Sequence, residues 1–398
     1  MNWSKKFLIF VFSFFLILLF VFVILLMVHV KKTDAIVFSD DLTCNYRDVI
    51  HVEHFIKSIN GNLLDNYLVD TSTLGKKQLD VRYKNQYGFV EKSKVSIEVK
   101  DTVSPIISVD DPYVISKGDV SKLEDTIFCA DDYDDHIQCT ISGEYDLNQV
   151  GNYPLSIIAS DKTGNESKKN FVLKVVDKKE SDQSNGTPIK FNDIYRKYSN
   201  EYDIGLDVSK WQGNVDFEKV AQQGVSFVMI KLGGQSEING EITLDPNFYT
   251  NIDKAIQNDL KVGVYFYSYA KSVNEAKKQA KWVAQILKDY HLDLPVAFDW
   301  ENWEKYSTFG IGFRTLNRIA SSFITEINHY QYQGMLYSSK YYLENIWYSE
   351  DYSNIWLAFY HQSLDYDGKF SIWQVCNTGI IDGINGFVDI DLLKKGNI

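Results

Sequence analysis

Five carboxylates stand where short apolar runs end. Asp207 closes Ile204-Gly-Leu-Asp-Val, Asp299 and Glu301 close Pro295-Val-Ala-Phe-Asp-Trp-Glu, and Asp389 and Asp391 close Gly386-Phe-Val-Asp-Ile-Asp. A carboxylate in an apolar setting is costly unless it is hydrogen-bonded or protonated, so packing does not explain the set. A carboxyl kept protonated beside one kept ionised can give its proton to a leaving oxygen while its neighbour stabilises the positive charge left behind. Asp299 and Glu301, two residues apart, would share one face of a strand with α-carbons about 6.6–6.8 Å apart. The competing reading, capping of following helices or of loop amides, stays most open for Asp391. The seven His include no H-x-x-x-H pair and the four Cys are scattered, so neither metal nor cofactor is expected.

The elements that must carry these groups are legible from Tyr202 onward. Strand candidates are Asp203–Val208, Ser226–Leu232, Lys261–Tyr269, Leu294–Glu301, Gly334–Ser338, Asn354–Phe359, Phe370–Val375 and Gly386–Ile390. Between them Phe217–Gln223, Phe248–Asn258, Val273–Tyr290 and Phe313–Tyr332 carry apolar residues at helical spacing. Alternating strands and helices argue for a parallel sheet. This many strands in so short a stretch predict a closed α/β barrel, with a doubly wound open sheet as the alternative. In such a barrel active groups gather at the C-terminal ends of the strands, where all five carboxylates are expected to converge.

Several motifs together resemble one family. Asp203-Ile-Gly-Leu-Asp-Val-Ser-Lys-Trp-Gln-Gly, Gly224-Val-Ser-Phe-Val-Met-Ile-Lys, Val262-Gly-Val-Tyr-Phe-Tyr-Ser, Pro295-Val-Ala-Phe-Asp-Trp-Glu, Ile355-Trp-Leu-Ala-Phe-Tyr, Trp373-Gln and Val388-Asp-Ile-Asp are similar, in order, to the glycoside hydrolase family 25 lysozymes. The resemblance covers about 203–393. It implies a modified (β/α) barrel that cuts the β-1,4 bond from N-acetylmuramic acid to N-acetylglucosamine in peptidoglycan. By position Glu301 takes the general-acid role, Asp299 that of stabiliser or nucleophile, and Asp207 and Asp389 the other acidic places. Where the family usually ends in Asp-x-Asn, this chain has Asp389-Ile-Asp391, which adds an ionisable group. A covalent and a substrate-assisted route both fit these residues. A non-catalytic wall-binding or scaffolding protein that keeps the sugar cleft is the alternative, and chitin-like chains are an alternative substrate.

Aromatic residues would complete the cleft, because sugar rings stack their C–H faces on aromatic planes. Tyr267 and Trp373 are the first choices for substrate binding, with Tyr265, Tyr337, Trp356 and the carboxylate of Asp391 beside them.

The first half of the chain repeats itself at an offset of 76 residues. Asp70, Gly75, Leu79, Val81, Gly88, Val95, Val99 and Asp101 recur as Asp146, Gly151, Leu155, Ile157, Gly164, Phe171, Val175 and Asp177. Each copy alternates apolar and polar residues on both sides of a Gly-containing turn, the mark of a small all-β domain. The pattern resembles bacterial Ig-like surface domains over 36–101 and 102–178, expected to act as a stalk. Cys129 and Cys139 bracket the acidic run Asp131, Asp132, Asp134 and Asp135. A disulfide there is allowed outside the cell, and spacing alone leaves it open. The run reads as a solvated loop, with Ca²⁺ binding as the alternative. Cys44 and Cys376 read as buried thiols. Residues 179–200 are polar and read as a linker.

Phe7 to Val30 is an apolar run, touched only by Ser13 and His29, with Lys5 and Lys6 before it and Lys31 and Lys32 after it. At 1.5 Å per residue its helix would reach about 36 Å, enough for a hydrocarbon core of about 30 Å. It is longer than a signal-peptide core and is followed by no small-residue cleavage site. The expected arrangement is a tail at 1–6, a transmembrane anchor at 7–30, two modules, the linker and a barrel at 201–398 on the wall side of the cell membrane. The expected partners are peptidoglycan strands and the membrane. A net charge of −12 excludes a nucleic-acid binder, and 45% hydrophobic residues exclude a mostly disordered chain.

Overall fold

The computed structural model describes residues 3–33, 36–118, 123, 127–178, 186–301, 311–361 and 363–396. Residues 1–2 of the expected tail, 179–185 of the expected linker and 397–398 lie outside them. The chain forms two compact units, Met1–Thr102 and Val103–Ile398.

The first unit opens with helix α1, Trp3–Thr33. Its described side chains, at 7, 8 and 10–25, are all exposed. Among the described residues no helix is long and apolar enough to cross a membrane. Strands β1 (Val37–Phe38), β2 (Thr43–Asn45), β3 (Ile56–Ser58), β4 (Gly61–Leu63), β5 (Gly75–Asn85) and β6 (Val90–Lys100) follow, with β2-β6-β5-β4 as one sheet and β1 paired to β3. Leu79, Val81 and Tyr83 of β5 alternate inward against Val95, Ile97 and Val99 of β6.

The second unit begins with a close copy of that sheet. Its strands are β7 (Ile106–Ser108), β8 (Tyr113–Ser116), β9 (Phe128–Ala130), β10 (Gln138–Ser142), β11 (Gly151–Ser160) and β12 (Glu166–Val176). The order β10-β11-β12-β8 mirrors β4-β5-β6-β2, and in both the first strand runs parallel to the second arm of the hairpin. Gly88 and Gly164, at matching places in the two hairpins, have φ of +86° and +94°, which L side chains rarely adopt. Cys129 and Cys139 are disulfide-bonded, joining β9 to β10. Cys44 and Cys376 are buried free thiols.

The barrel takes up the rest. Its strands are β14 (Tyr202–Val208), β15 (Phe227–Gln235), β17 (Lys261–Tyr267), β18 (Val296–Asp299), β19 (Gly334–Ser339), β20 (Ile355–Ala358), β21 (Ile372–Ile380) and β22 (Val388–Lys394), with a short β16 (Ile242–Leu244) beside β15. Neighbours pair in parallel from β14 to β21, and β22 closes the ring antiparallel to both β21 and β14. Each strand divides its side chains by parity. One set, including Leu206, Ile230, Val264, Phe298, Leu336 and Leu357, packs outward against helices α3 (Phe217–Gln222), α4 (Phe248–Gln257), α5 (Val273–Leu287) and α6 (Phe313–His329). The other fills the lumen with Phe227, Met229, Ala297, Met335, Trp356 and Leu393. Lumen packing is tight: a Cβ on Gly205 would stand 2.4 Å from the Phe227 ring, and one on Gly263 2.5 Å from Met229 Sδ.

Three expectations change. The eighth strand runs antiparallel and extends to Lys394, so Asp389 and Asp391 are its second and fourth residues rather than its end. Half of the expected linker is structured: β13 (Ile189–Lys190) pairs with β21, and helix α2 (Phe191–Tyr198) buries Phe191 and Ile194 in the outer core. Finally, the second β unit is not a free stalk. Phe128 and Ala130 of β9 belong to the barrel's outer core and Ile106 packs on it. The loop Asp131–Asp135 is not a solvated one, since Asp131 and Asp134 are buried.

Candidate active site

Register places the acidic residues at one mouth. Asp207 on β14 stands opposite Asp389 on β22. Because β22 runs against its neighbours, its beginning lies level with the C-terminal ends of the parallel strands. Asp299 ends β18 between Tyr267 of β17 and Tyr337 of β19. Strand β18 stops at Asp299, so Glu301 lies beyond it rather than on its face, and is exposed. Asp391 sits one layer deeper, opposite Gly205, fully buried.

Gln374 on β21 organises two of these groups. Its Nε2 donates to Asp207 Oδ2 at 2.7 Å and reaches Asp389 Oδ2 at 3.4 Å. The hydroxyls of Tyr337 and Tyr360 donate to its Oε1 at 2.9 and 2.8 Å. Below it, Trp356 Nε1 donates to Asp391 Oδ1 at 2.8 Å, with the Trp356 ring wedged between Tyr265 and Tyr337 at centroid distances of 5.7 and 4.7 Å. Asp391 Oδ2 and Asp299 Oδ1 are buried without a hydrogen-bond partner. Such an oxygen is costly as part of an anion and cheaper in a protonated carboxyl.

The electrostatics follow from this geometry. Burial, then the charges of Asp389 and Asp391, push the Asp207 carboxyl far above the usual range. Burial pushes Asp389 up to about 6, against the hydrogen bond from Asp207. Asp391 is raised by burial and then by Asp389. Across the mouth, burial and the charge of Glu301 raise Asp299, while Lys231 pulls it down. Glu301, although exposed as a residue, has its carboxyl raised chiefly by desolvation and further by Asp389, with Lys231 and the Tyr337 hydroxyl opposing. Two coupled carboxyls of this kind shed their protons in separate steps, so one stays protonated while the other ionises. That is the arrangement an acid and a charge stabiliser require.

The aromatic expectations divide. Tyr267 is half-buried at the rim, against Tyr269 and 4.7 Å from Lys231 Nζ, and Tyr265 lies one layer below it. Tyr337 lines the mouth. Trp356 is buried in the lumen and acts on Asp391 rather than facing the cleft. Trp373 is placed elsewhere: it points outward, 1% exposed, its Nε1 donating to Phe359 O at 2.7 Å and its ring 5.6 Å from Tyr198. The residue facing the mouth is its neighbour Gln374.

Sequence reasoning missed Gln374, Lys231 and Trp211. Lys231 is the one cation inside Phe227-Val-Met-Ile-Lys-Leu, and that oddity is a usable signal. Trp211 follows β14 on a single 3₁₀ turn whose capping box joins Ser209 and Gln212. It stays 78% exposed, with Lys210 Nζ 4.9 Å from its ring. Its position just past the C-terminal end of β14 puts this open aromatic plane on the mouth side of the barrel.

The model of the family described as Glycosyl hydrolases family 25 matches residues 206–384. That segment begins after both small β units. YegX of Escherichia coli strain K12, a protein described as uncharacterized, is 29% identical over 198 residues, 48% of this chain and 69% of YegX. The autolytic lysozyme of Clostridium acetobutylicum is 26% identical over 197 residues, 48% of this chain and 56% of that enzyme. The structure of the modular autolysin LytC from Streptococcus pneumoniae with a synthetic peptidoglycan ligand aligns at 21% identity and a TM-score of 0.43, over 60% of this chain and 56% of LytC. This chain thus spans little more than half the length of the last two.

Proposed function

We propose, from the premise that residues 206–384 belong to glycosyl hydrolases family 25, that the chain is a peptidoglycan hydrolase of the muramidase type. It would cleave the β-1,4 bond from N-acetylmuramic acid to N-acetylglucosamine. The observation that carries this reading is the pair at the end of β18: Glu301, its carboxyl raised by desolvation, beside the buried Asp299 with its orphaned oxygen. The family match and the likeness to the autolytic lysozyme of Clostridium acetobutylicum support the substrate.

In this mechanism the protonated Glu301 gives its proton to the glycosidic oxygen as the anomeric C–O bond breaks and its electron pair leaves with that oxygen. Burial holds Asp299 as the acid form before the reaction begins. The charge of Lys231 and the positive charge growing on the anomeric carbon then favour its carboxylate, which meets that charge or holds the acetamido group so that its oxygen does. Water then adds to that carbon and its proton goes to Glu301. Lys231 favours the one negative charge the pair must carry. Asp207 and Asp389, held by Gln374, form the opposite acidic wall. Tyr267 and Trp211 offer planes on which sugar rings stack.

Digestion of purified peptidoglycan by the full chain and by Glu301→Gln tests the reading. Borohydride reduction followed by mass spectrometry identifies the new ends. Reduced muramic ends from the parent, with kcat lower by about 10²–10⁴ in the variant, are expected. Reduced glucosamine ends would reassign the bond. No product from a folded parent that still sediments with the wall would leave a non-catalytic wall-binding protein.

The chain is further proposed to be a single-pass membrane protein with its catalytic unit on the wall side. The apolar run from Phe7 to Val30 between lysine pairs supports this. Carbonate-washed membranes should retain the full chain and release one that starts at residue 36; a full chain in the wash would end the proposal.

A further inference from the structure

Helix α6 starts at Gly312, which has no side chain with which to cap it. The first turn of any helix leaves amides that need partners from outside. Here the acidic loop of the second β unit supplies them. Gly312 N–H donates to Asp135 Oδ1 at 2.7 Å, Phe313 N–H to Asp131 O at 2.8 Å and Arg314 N–H to Asp132 O at 3.0 Å. The Tyr348 hydroxyl donates to Asp132 O at 3.0 Å, and the Arg314 guanidinium lies 4.8 Å from the Tyr133 ring. The loop is shaped for the purpose. Asp131 Oδ1 accepts from the amides of Tyr133 and Asp134, Asp134 Oδ2 accepts from Lys162 N, and the Cys129–Cys139 disulfide ties the flanking strands. Carboxylate charge at a helix N-terminus also complements the helix dipole.

The capped helix is the one that matters to the mouth. It packs on β18, the Phe323 ring lying 5.1 Å from that of Phe298, the residue before Asp299. Ile311 and Phe313, at the start of the helix, are buried. We infer that the Asp131–Asp135 loop is a positioning element of the active site. By capping α6 it fixes the helix that backs β18, the strand that ends in Asp299, and turnover depends on it. Asp135 is its positioning residue. The inference rests on the glycosidase reading.

Gly312 supplies a clean probe. Its φ and ψ of −83° and 174° suit any residue, yet a Cβ there would stand 2.5 Å from Asp134 O and 3.1 Å from Asp131 O. Gly312→Ala is therefore penalised only while the loop is docked. In the full chain, Gly312→Ala should free the Phe313 and Arg314 amides to hydrogen exchange and lower kcat about tenfold, with KM within about twofold. Asp135→Ala should lower kcat about threefold, and Asp135→Asn, which keeps an acceptor oxygen, should restore it. This second pair carries the test if Gly312→Ala does not fold. A kcat within twofold of wild type in both Gly312→Ala and Asp135→Ala overturns the inference, as does a loss confined to KM. Failure of the glycosidase reading looks different: a wild-type chain with protected Phe313 and Arg314 amides and no product.

Discussion

At the scale of residues, the mouth concentrates carboxyls that the fold holds away from their ordinary ionisation. The consequence for stability has a definite sign. A folded-state carboxyl raised by burial binds its proton over a pH range where the unfolded chain has lost it, so stability falls as pH rises through that range. For Asp389 the range runs from 3.8 to about 6. Asp389→Asn is thus expected to match wild type in stability below pH 4 and to exceed it by roughly 2–3 kcal/mol at pH 7, while losing activity. Asp391→Asn keeps an oxygen for Trp356 Nε1 and removes a buried ionisable group, so its Tm at pH 7 should rise, by about 1–3 kcal/mol of stability. Thermal unfolding at pH 4 and pH 7 checks both, and a gain at pH 4 as large as at pH 7 would contradict the charge argument. Gln374→Ala removes the donor to Asp207 and is expected to lower kcat about 10- to 100-fold. The carboxylates were legible in the sequence because charge inside apolar strands stands out. Gln374 was not, because an uncharged amide beside Trp373 carries no such contrast. The choice of Trp373 over Gln374 is an error of one residue in phase, and in a strand that exchanges the lumen for the outer core.

At the scale of elements, every barrel strand and the four main helices lie where apolar periodicity put them, to within a few residues at the ends. The direction of the last strand was not legible, since alternation reads the same both ways; only pairing to β14 and β21 settles it. Helix α2 was lost among polar neighbours, although Phe191, Ile194, Tyr195 and Tyr198 follow helical spacing. Phe191 is buried in the outer core, so Phe191→Ala is expected to cost about 3–5 kcal/mol. A Tm unchanged by that substitution would mean that α2 is not an integral part of the barrel.

At the scale of the whole molecule, the repeat announced two similar β units but said nothing of their different settings. The second is built onto the barrel through Phe128, Ala130 and the acidic loop, and long-range docking of this kind leaves no periodic trace. A chain that starts at residue 186 would expose the outer-core face that β9 covers and leave α6 uncapped. It is expected to unfold at a lower temperature than one that starts at residue 103, and equal melting would count against the docked arrangement.

The antiparallel eighth strand also ties the site to the closing of the ring. Asp389 meets Asp207 only when β22 slots between β14 and β21, joining residues 182 apart in the chain. Until then the ring is an open sheet with two bare edges, and Gln374 has no second carboxylate to reach. Closing so long a loop costs entropy that only the paired ring repays. The acidic wall is therefore complete only when β22 is in place, and a partly synthesised chain that lacks β22 carries an unfinished, idle site.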